Sequence, residues 1–150
     1  MNGREIERES WRISAQNASP VGLTIILYDL LASDLRGAIA AMRAGDIELR
    51  CQILSHAILV MAQLEEGLDM AKAPDTCRQL LRFYSHLRAK MLEAQMKQSV
   101  PILEHLIELI ISMRLTWQQV ELEETAKAGA VLASAAAAAP AAREGLAWTA

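Results

Sequence analysis

Four short punctuation marks divide most of this chain into long stretches of helical periodicity. They are Ser19-Pro20, Gly45-Asp46, Pro74-Asp75 and Ser99-Val100-Pro101. Ser-Pro places a capping hydroxyl before a proline whose missing N–H is not needed in a first helical turn. Gly-Asp ends one helix in a left-handed residue and caps the next. Between the marks, apolar residues recur every three or four positions. Helix one is predicted from Pro20 to about Ala44, with Leu23, Leu27, Leu30, Leu31, Leu35, Ala38 and Met42 on its apolar stripe. Helix two should run from Ile47 to about Ala71. Helix three should run from Thr76 to Lys97, with Asp75 as its cap and Leu80, Tyr84, Leu87, Met91 and Ala94 inward. Helix four starts at Pro101, carries Ile102, Leu106, Leu109, Met113, Trp117 and Val120, and loses its register near Glu124. Very short links force consecutive helices to be antiparallel. The expected fold is therefore all-α, an antiparallel up-down-up-down four-helix bundle over residues 19–124. With aromatic residues at 4%, its core must be aliphatic, with methionine as filler.

The flanks differ from this middle. Residues 1–18 are polar and charged, with Ile6, Trp11 and Ile13 as the sizeable apolar groups. They read as a mobile N-terminal arm that docks through Trp11 and Ile13. From Thr125 to the end, alanine dominates and Gly129, Pro140 and Gly145 interrupt. The expectation there is a frayed extension of helix four followed by a poorly ordered Ala-rich tail, because alanine favours helix but buries little surface.

Charge and motif exclude several functions. A net charge of −3 and a pI near 5.6 argue against nucleic acid and anionic membranes as partners. The N-terminus lacks the apolar segment of a secretory signal, and the longest apolar run, Val21 to Ala32, is too short to span a bilayer and contains Asp29. Cys51 and Cys77 have no metal-ligand spacing and read as reduced thiols, which suits a cytoplasmic protein. A di-iron bundle needs Glu-x-x-His, yet the residues three before His56, His86 and His105 are Ile53, Phe83 and Ile102. His86 with Lys90 imitates a phosphotransfer site only loosely, since Ala89 and Lys90 stand where Lys-Gly is usual. No cofactor, metal or catalytic residue is expected, and the chain does not read as an enzyme. The glutamate clusters at 65–66 and 121–124 read as solvated faces. Asp29 and Asp34 interrupt the apolar face of helix one, so partial burial with hydrogen bonding is expected of one of them.

Helices two and four carry more apolar surface than one core needs. On helix two, Ile47, Cys51, Leu54, Ile58, Met61 and Leu68 form one stripe, and Ile53, Ala57, Val60 and Leu64 extend it to roughly 180°, where about 100° suffices. Leu103, Ile107 and Ile111 widen helix four in the same way. Periodicity leaves two readings open. The surplus either fills a core also covered by the arm and tail, or Ile53, Val60, Leu64, Leu103, Ile107 and Ile111 line a groove for a partner helix. A scaffold that pairs with a second copy of itself is the alternative use of the same surplus.

The stretch Ala18-Ser19-Pro20-Val21-Gly22-Leu23, followed by Leu27-Tyr28-Asp29, resembles the start of the FliS family of flagellin export chaperones. The likeness continues in order through Gly45-Asp46-Ile47, Leu64 with Leu68-Asp69, Leu81-x-x-Tyr84 with Leu92-x-Ala94, and Met113-Arg114-x-x-Trp117. Leu30, Lys72-Ala73-Pro74 and Gln95 depart from the family's usual Gly, Gly-Gly and Asn, and Trp11 stands for its usual Tyr. The resemblance makes Ser19, Pro20, Leu23, Tyr28 and Asp29 a family motif. It implies a cytoplasmic chaperone, monomeric or weakly dimeric, that holds the disordered C-terminal segment of flagellin. Such a chaperone blocks premature polymerisation and hands its client to the flagellar export gate. It further implies that the arm covers client-binding surface, with Trp11 and Ile13 as an internal plug.

Overall fold

The computed structural model describes residues 2–147, with side-chain surroundings through residue 137. Those residues are all-helical and form five helices: α1 (Gly3–Asn17), α2 (Pro20–Ala44), α3 (Ile47–Glu66), α4 (Pro74–Lys97) and α5 (Val100–Ala147).

The expected punctuation works through identifiable atoms. Ser19 Oγ accepts the Gly22 N–H at 3.0 Å with Pro20 in the first turn, so α2 starts where the sequence predicts. Gly45 ends it in the left-handed region (φ 69°), a conformation that costs a residue without Cβ little. Asp46 Oδ1 then accepts the Leu49 N–H at 3.0 Å and opens α3. Ser99 Oγ accepts the Ile102 N–H at 3.3 Å at the head of α5.

Two boundaries differ from expectation. α3 stops at Glu66 rather than near Ala71, because Asp69 Oδ1 takes the N–H groups of Ala71 and Lys72 into a local turn that competes with helix. α4 begins at Pro74, with Ala73 in the cap position and no capping side chain, while Asp75 pairs with Arg78 at 2.7 Å instead.

The flanks also differ. Residues 3–17 are helical where a mobile arm was expected. Asn2 Oδ1 accepts the Glu5 N–H at 3.0 Å, and Glu5 Oε2 accepts the Asn2 N–H at 3.1 Å, a reciprocal capping box that satisfies two orphan donors. At the other end, α5 does not fray near Glu124 but continues to Ala147, and residues 125–137 of this extension are exposed throughout. High alanine propensity carries the helix onward once a packed N-terminal half has nucleated it. Residues 148–150, which include Trp148, lie outside the described part of the chain.

Long-range pairs give the register. Gly22 lies against Glu121, Asp29 pairs with Arg114 and Arg43 with Glu104, so α2 and α5 run antiparallel. Asp34 with His56 and Gly37 with Ile53 make α2 and α3 antiparallel. Glu65 with Arg88 and Cys51 with Gln95 do the same for α3 and α4. α4 also packs on α5, whereas α3 and α5 make no close backbone approach and lie across the core from one another. One core joins the four long helices through Leu31, Leu35, Met61, Tyr84, Leu87 and Leu106. Among the described residues the backbone of α1 closely approaches that of α2 and of no other helix. By length and mean hydropathy (1.2) α3 passes the test for a membrane span, but Leu54, Ala57, Val60, Met61 and Leu64 commit one of its faces to this core.

Candidate functional site

The six residues expected to line one groove do not come together. Val60 and Leu64 on α3 are each 4% exposed, and Leu103 on α5 is fully buried; all three are core residues. Ile53 is half-buried over Gly37 of α2, and Ile107 is half-buried against the core. Ile111 alone is exposed. The reason is topological. α3 and α5 are diagonal, so apolar residues on these two helices cannot form the two walls of one groove.

Of the two residues expected to form an internal plug, the structure leaves Ile13 exposed and Trp11 half-buried. Ile13 is 52% exposed, and among the described residues the backbone of their helix closely approaches that of α2 and of no other helix. Ile6 and Ile13 lie seven residues apart and so share one exposed side of α1.

Four of the five motif residues at the start of α2 hold the fold through identifiable contacts. Ser19 and Pro20 set the helix start, and Leu23 is partly exposed. Tyr28 is fully buried, with its hydroxyl 2.9 Å from that of Tyr84. Burial raises the Tyr28 pKa, opposed by the Tyr84 hydroxyl and then by the Trp117 indole. Trp117 Nε1 is near enough to polarise that hydroxyl but makes no hydrogen bond of normal geometry. Tyr84 is raised further, first by burial and then by Tyr28, so both phenols stay protonated. Asp29 accepts two hydrogen bonds from Arg114, at 2.5 and 3.2 Å, which tie α2 to α5. Both aspartates that interrupt the apolar face of α2 are partly buried and bonded, where one was expected to be: Asp34 Oδ2 lies 2.6 Å from His56 Nδ1.

The apolar surface left uncovered lies elsewhere, between α3 and α4. Of the neighbouring pairs among the four long helices, the backbones of these two approach one another least closely. A cleft of about 140 Å³ opens between Leu54, Ser55 and Ile58 on one side and Arg88, Met91, Leu92 and Gln95 on the other. Met91 and Leu54 are buried at its floor, whereas Ile58 is 38% exposed and Leu92 62%. One turn beyond the walls, Leu59 and Met96 are more exposed still. The ion pair of Arg88 with Glu65 closes one end. At the other end the Gln95 amide meets the Cys51 thiol at 3.5 Å. An apolar trough with polar ends on rigid helices can hold an apolar side chain and orient the backbone that carries it.

Sequence reasoning missed this cleft because it put Ile58 and Cys51 on the core stripe of α3 and Val60 and Leu64 on the surplus. The structure reverses those roles. The exposed pair Leu92 and Met96 on α4, set apart from its clean inward stripe, was the available signal.

Comparison with known proteins fits this picture of a helical protein with uncovered apolar surface. The family model described as flagellar protein FliS matches residues 5–124. Among curated proteins, the flagellar secretion chaperone FliS of Salmonella typhimurium (strain LT2) is 26% identical over 108 residues, covering 71% of this chain and 80% of that protein. The match runs through α2, α3 and α4, the first half of α5 and nearly all of α1, leaving out the Ala-rich extension. The chain belongs to the FliS family of flagellar proteins.

Proposed function

We propose that this protein is a flagellar secretion chaperone that binds the C-terminal segment of flagellin at the α3–α4 cleft. In this reading α2–α5 act as an up-down-up-down four-helix bundle, a rigid non-catalytic platform working in the cytoplasm. The chaperone covers the client's apolar residues before export, prevents premature polymerisation and delivers it to the secretion apparatus. The single observation that carries the site is the pair of exposed apolar side chains, Ile58 and Leu92, that face one another across a preformed cleft. Apolar side chains grouped on one rigid face are the feature a helix-forming client requires. A client that orders as it binds spends part of its contact energy on ordering, so contacts beyond this one cleft are expected.

The test is calorimetric titration of the full chain with the flagellin C-terminal segment from the same genome, with circular dichroism of the mixture. A one-to-one complex with helix gain, weakened at least tenfold by Leu92→Asp in a variant that stays folded, supports the reading. No heat from a folded protein removes it.

A second reading has an observation of its own. Leu115, Leu122, Val131 and Leu132 on α5 are exposed, which suits pairing with another copy. Sedimentation at two protein concentrations tests it: a mass that doubles with concentration, together with indifference to flagellin, favours self-association.

A further inference from the structure

Arg50 is the one charged side chain buried among the described residues, at 7% exposed. It lies on the inward face of α3 with Leu54, Ala57, Met61 and Leu64. No carboxylate among the described residues forms an ion pair with it. Glu104 is held by Arg43, Glu93 by Lys90 and Lys97, and Asp46 caps α3 through the Leu49 N–H. Arg50 Nε is fully enclosed and has no hydrogen-bond partner. The two terminal nitrogens make no hydrogen bond either, but they are not enclosed, so the little surface that Arg50 keeps includes its charged tip.

A buried guanidinium without an anion is destabilising, and an apolar side chain of similar length would suit the free protein better. Its position adds to the penalty, since the fourth residue of α3 stands near the positive end of that helix's dipole. A cation kept at such a place points to an anion that arrives from outside.

Side chains on a helix lean towards its N-terminus. α2 runs antiparallel to both α3 and α5, so these two start at the same end of the molecule, beside the Gly45-Asp46 and Gln98-Ser99 links. The Arg50 tip leaves the core at that end. The α3–α4 cleft runs towards it too, finishing where Gln95 meets Cys51, the chain neighbour of Arg50. A segment laid along the cleft from Ile58 reaches the level of Arg50 after about 12 Å, eight residues of α3 at 1.5 Å each. The anionic groups of an unmodified polypeptide are carboxylates, and the planar fork of a guanidinium meets a carboxylate in two parallel hydrogen bonds.

We infer that Arg50 binds a side-chain carboxylate of the flagellin segment, roughly two to three helical turns from the apolar residue that fills the cleft. The inference rests on the cleft being the client surface. It gives that surface a direction, because an anchor in the cleft and an acid at Arg50 seat together for one sense of the client chain and not the other.

The experiment is calorimetric titration of the full chain and of its Arg50→Met variant with the flagellin C-terminal segment, with thermal melting of each protein alone. The variant is expected to melt at or above the parent temperature and to bind about tenfold more weakly. From the client's side, each aspartate and glutamate is exchanged for its amide in turn. One exchange should weaken binding to the parent about tenfold and weaken binding to Arg50→Met no further. An Arg50→Met protein that melts far below the parent shows that the guanidinium already has its partner within the fold, and overturns the inference. Undiminished affinity in Arg50→Met, while Leu92→Asp abolishes binding, overturns the role of Arg50 and leaves the cleft standing. A loss produced by amidating the client's C-terminus, and by no side-chain exchange, moves Arg50 to the chain-terminal carboxylate and overturns the side-chain assignment. If Ile58→Asp and Leu92→Asp bind normally, the cleft itself is wrong and the inference falls with it.

Discussion

The hydroxyls of Tyr28 and Tyr84 meet 2.9 Å apart in the core, on helices α2 and α4 whose backbones do not approach one another closely. Both rings are fully buried, tilted by 52° with centroids 6.4 Å apart. Each hydroxyl is the other's main partner, so their contribution is strongly coupled. Tyr84→Phe strands the Tyr28 hydroxyl and should cost about 1–3 kcal/mol; Tyr28→Phe should cost a similar amount. The double Phe variant should cost clearly less than the sum, since no buried group is then left unpaired. Urea unfolding of the four proteins measures this cycle, and additive costs would show that the pair is not coupled.

Leu64 and Ile58 sit six residues apart on α3 and should respond oppositely to the same substitution. Leu64 is in the core, so Leu64→Ala should cost about 2–5 kcal/mol and Leu64→Asp should leave the protein unfolded. Ile58 is a cleft wall with solvent access, so Ile58→Asp should keep the native circular dichroism and lose client affinity. A folded Leu64→Asp protein that fails to bind client would move the binding surface back towards the core side of α3.

What the residue pattern could and could not settle is clearest on these two helices. On α4 the apolar arc is narrow, and Leu80, Tyr84, Leu87, Met91 and Ala94 are all buried as the spacing predicts. On α3 the arc covers about half the helix, and periodicity carries no information on which part of a half-circle faces inward. Arg50, Leu54, Ala57, Met61 and Leu64 line the buried face, while Ile47 and Ile58 lie outside it. The expected groove failed for the same reason, since a diagonal relation between helices is a property of topology, not of spacing. Caps fared better where one side chain acts on the next turn, as at Ser19, Asp46 and Ser99. The capping box of Asn2 and Glu5 was present in the residue types but passed over, because α1 lacks the apolar stripe that normally announces a helix.

Two carboxylates should give the stability profile opposite slopes in acid. Burial raises Asp34 above its ordinary value of 3.8, opposed by its hydrogen bond to His56 and then by the His56 charge. A raised folded pKa means the group's stabilising contribution is complete below pH 3.8 and is lost as pH rises through the folded value. Asp34→Asn should therefore be at least as stable as the parent at pH 7 and lose that advantage below about pH 4. Glu93 behaves in reverse. Hydrogen bonds from Lys90 and then Lys97 lower it from 4.5 to about 2. Its contribution is present above pH 4.5 and disappears as pH falls towards 2, so Glu93→Gln should flatten the acid limb in that window. Melting temperatures of the parent and both variants from pH 2 to 7 check the signs, and parallel curves for all three would refute them.

Deleting residues 1–15 tests what α1 does. No residue of α1 is fully buried, and its backbone closely approaches that of α2 and of no other helix among the described residues, so the core and the Ser19 cap should survive its removal. The change in unfolding free energy should stay within about 0.5 kcal/mol, as for surface changes away from a core. Because Trp11 and Ile13 stand clear of the α3–α4 cleft, affinity for the flagellin C-terminal segment should match that of the full chain. The half-buried Trp11 gives an independent signal, since its fluorescence should not shift when client is added. A rise in affinity on deletion, with a Trp11 shift in the intact protein, would mean that α1 leaves α2 in solution and competes for client surface as an internal plug. A large loss of affinity would instead make the apolar side of α1, with Ile6 and Ile13 already exposed, part of the client contact.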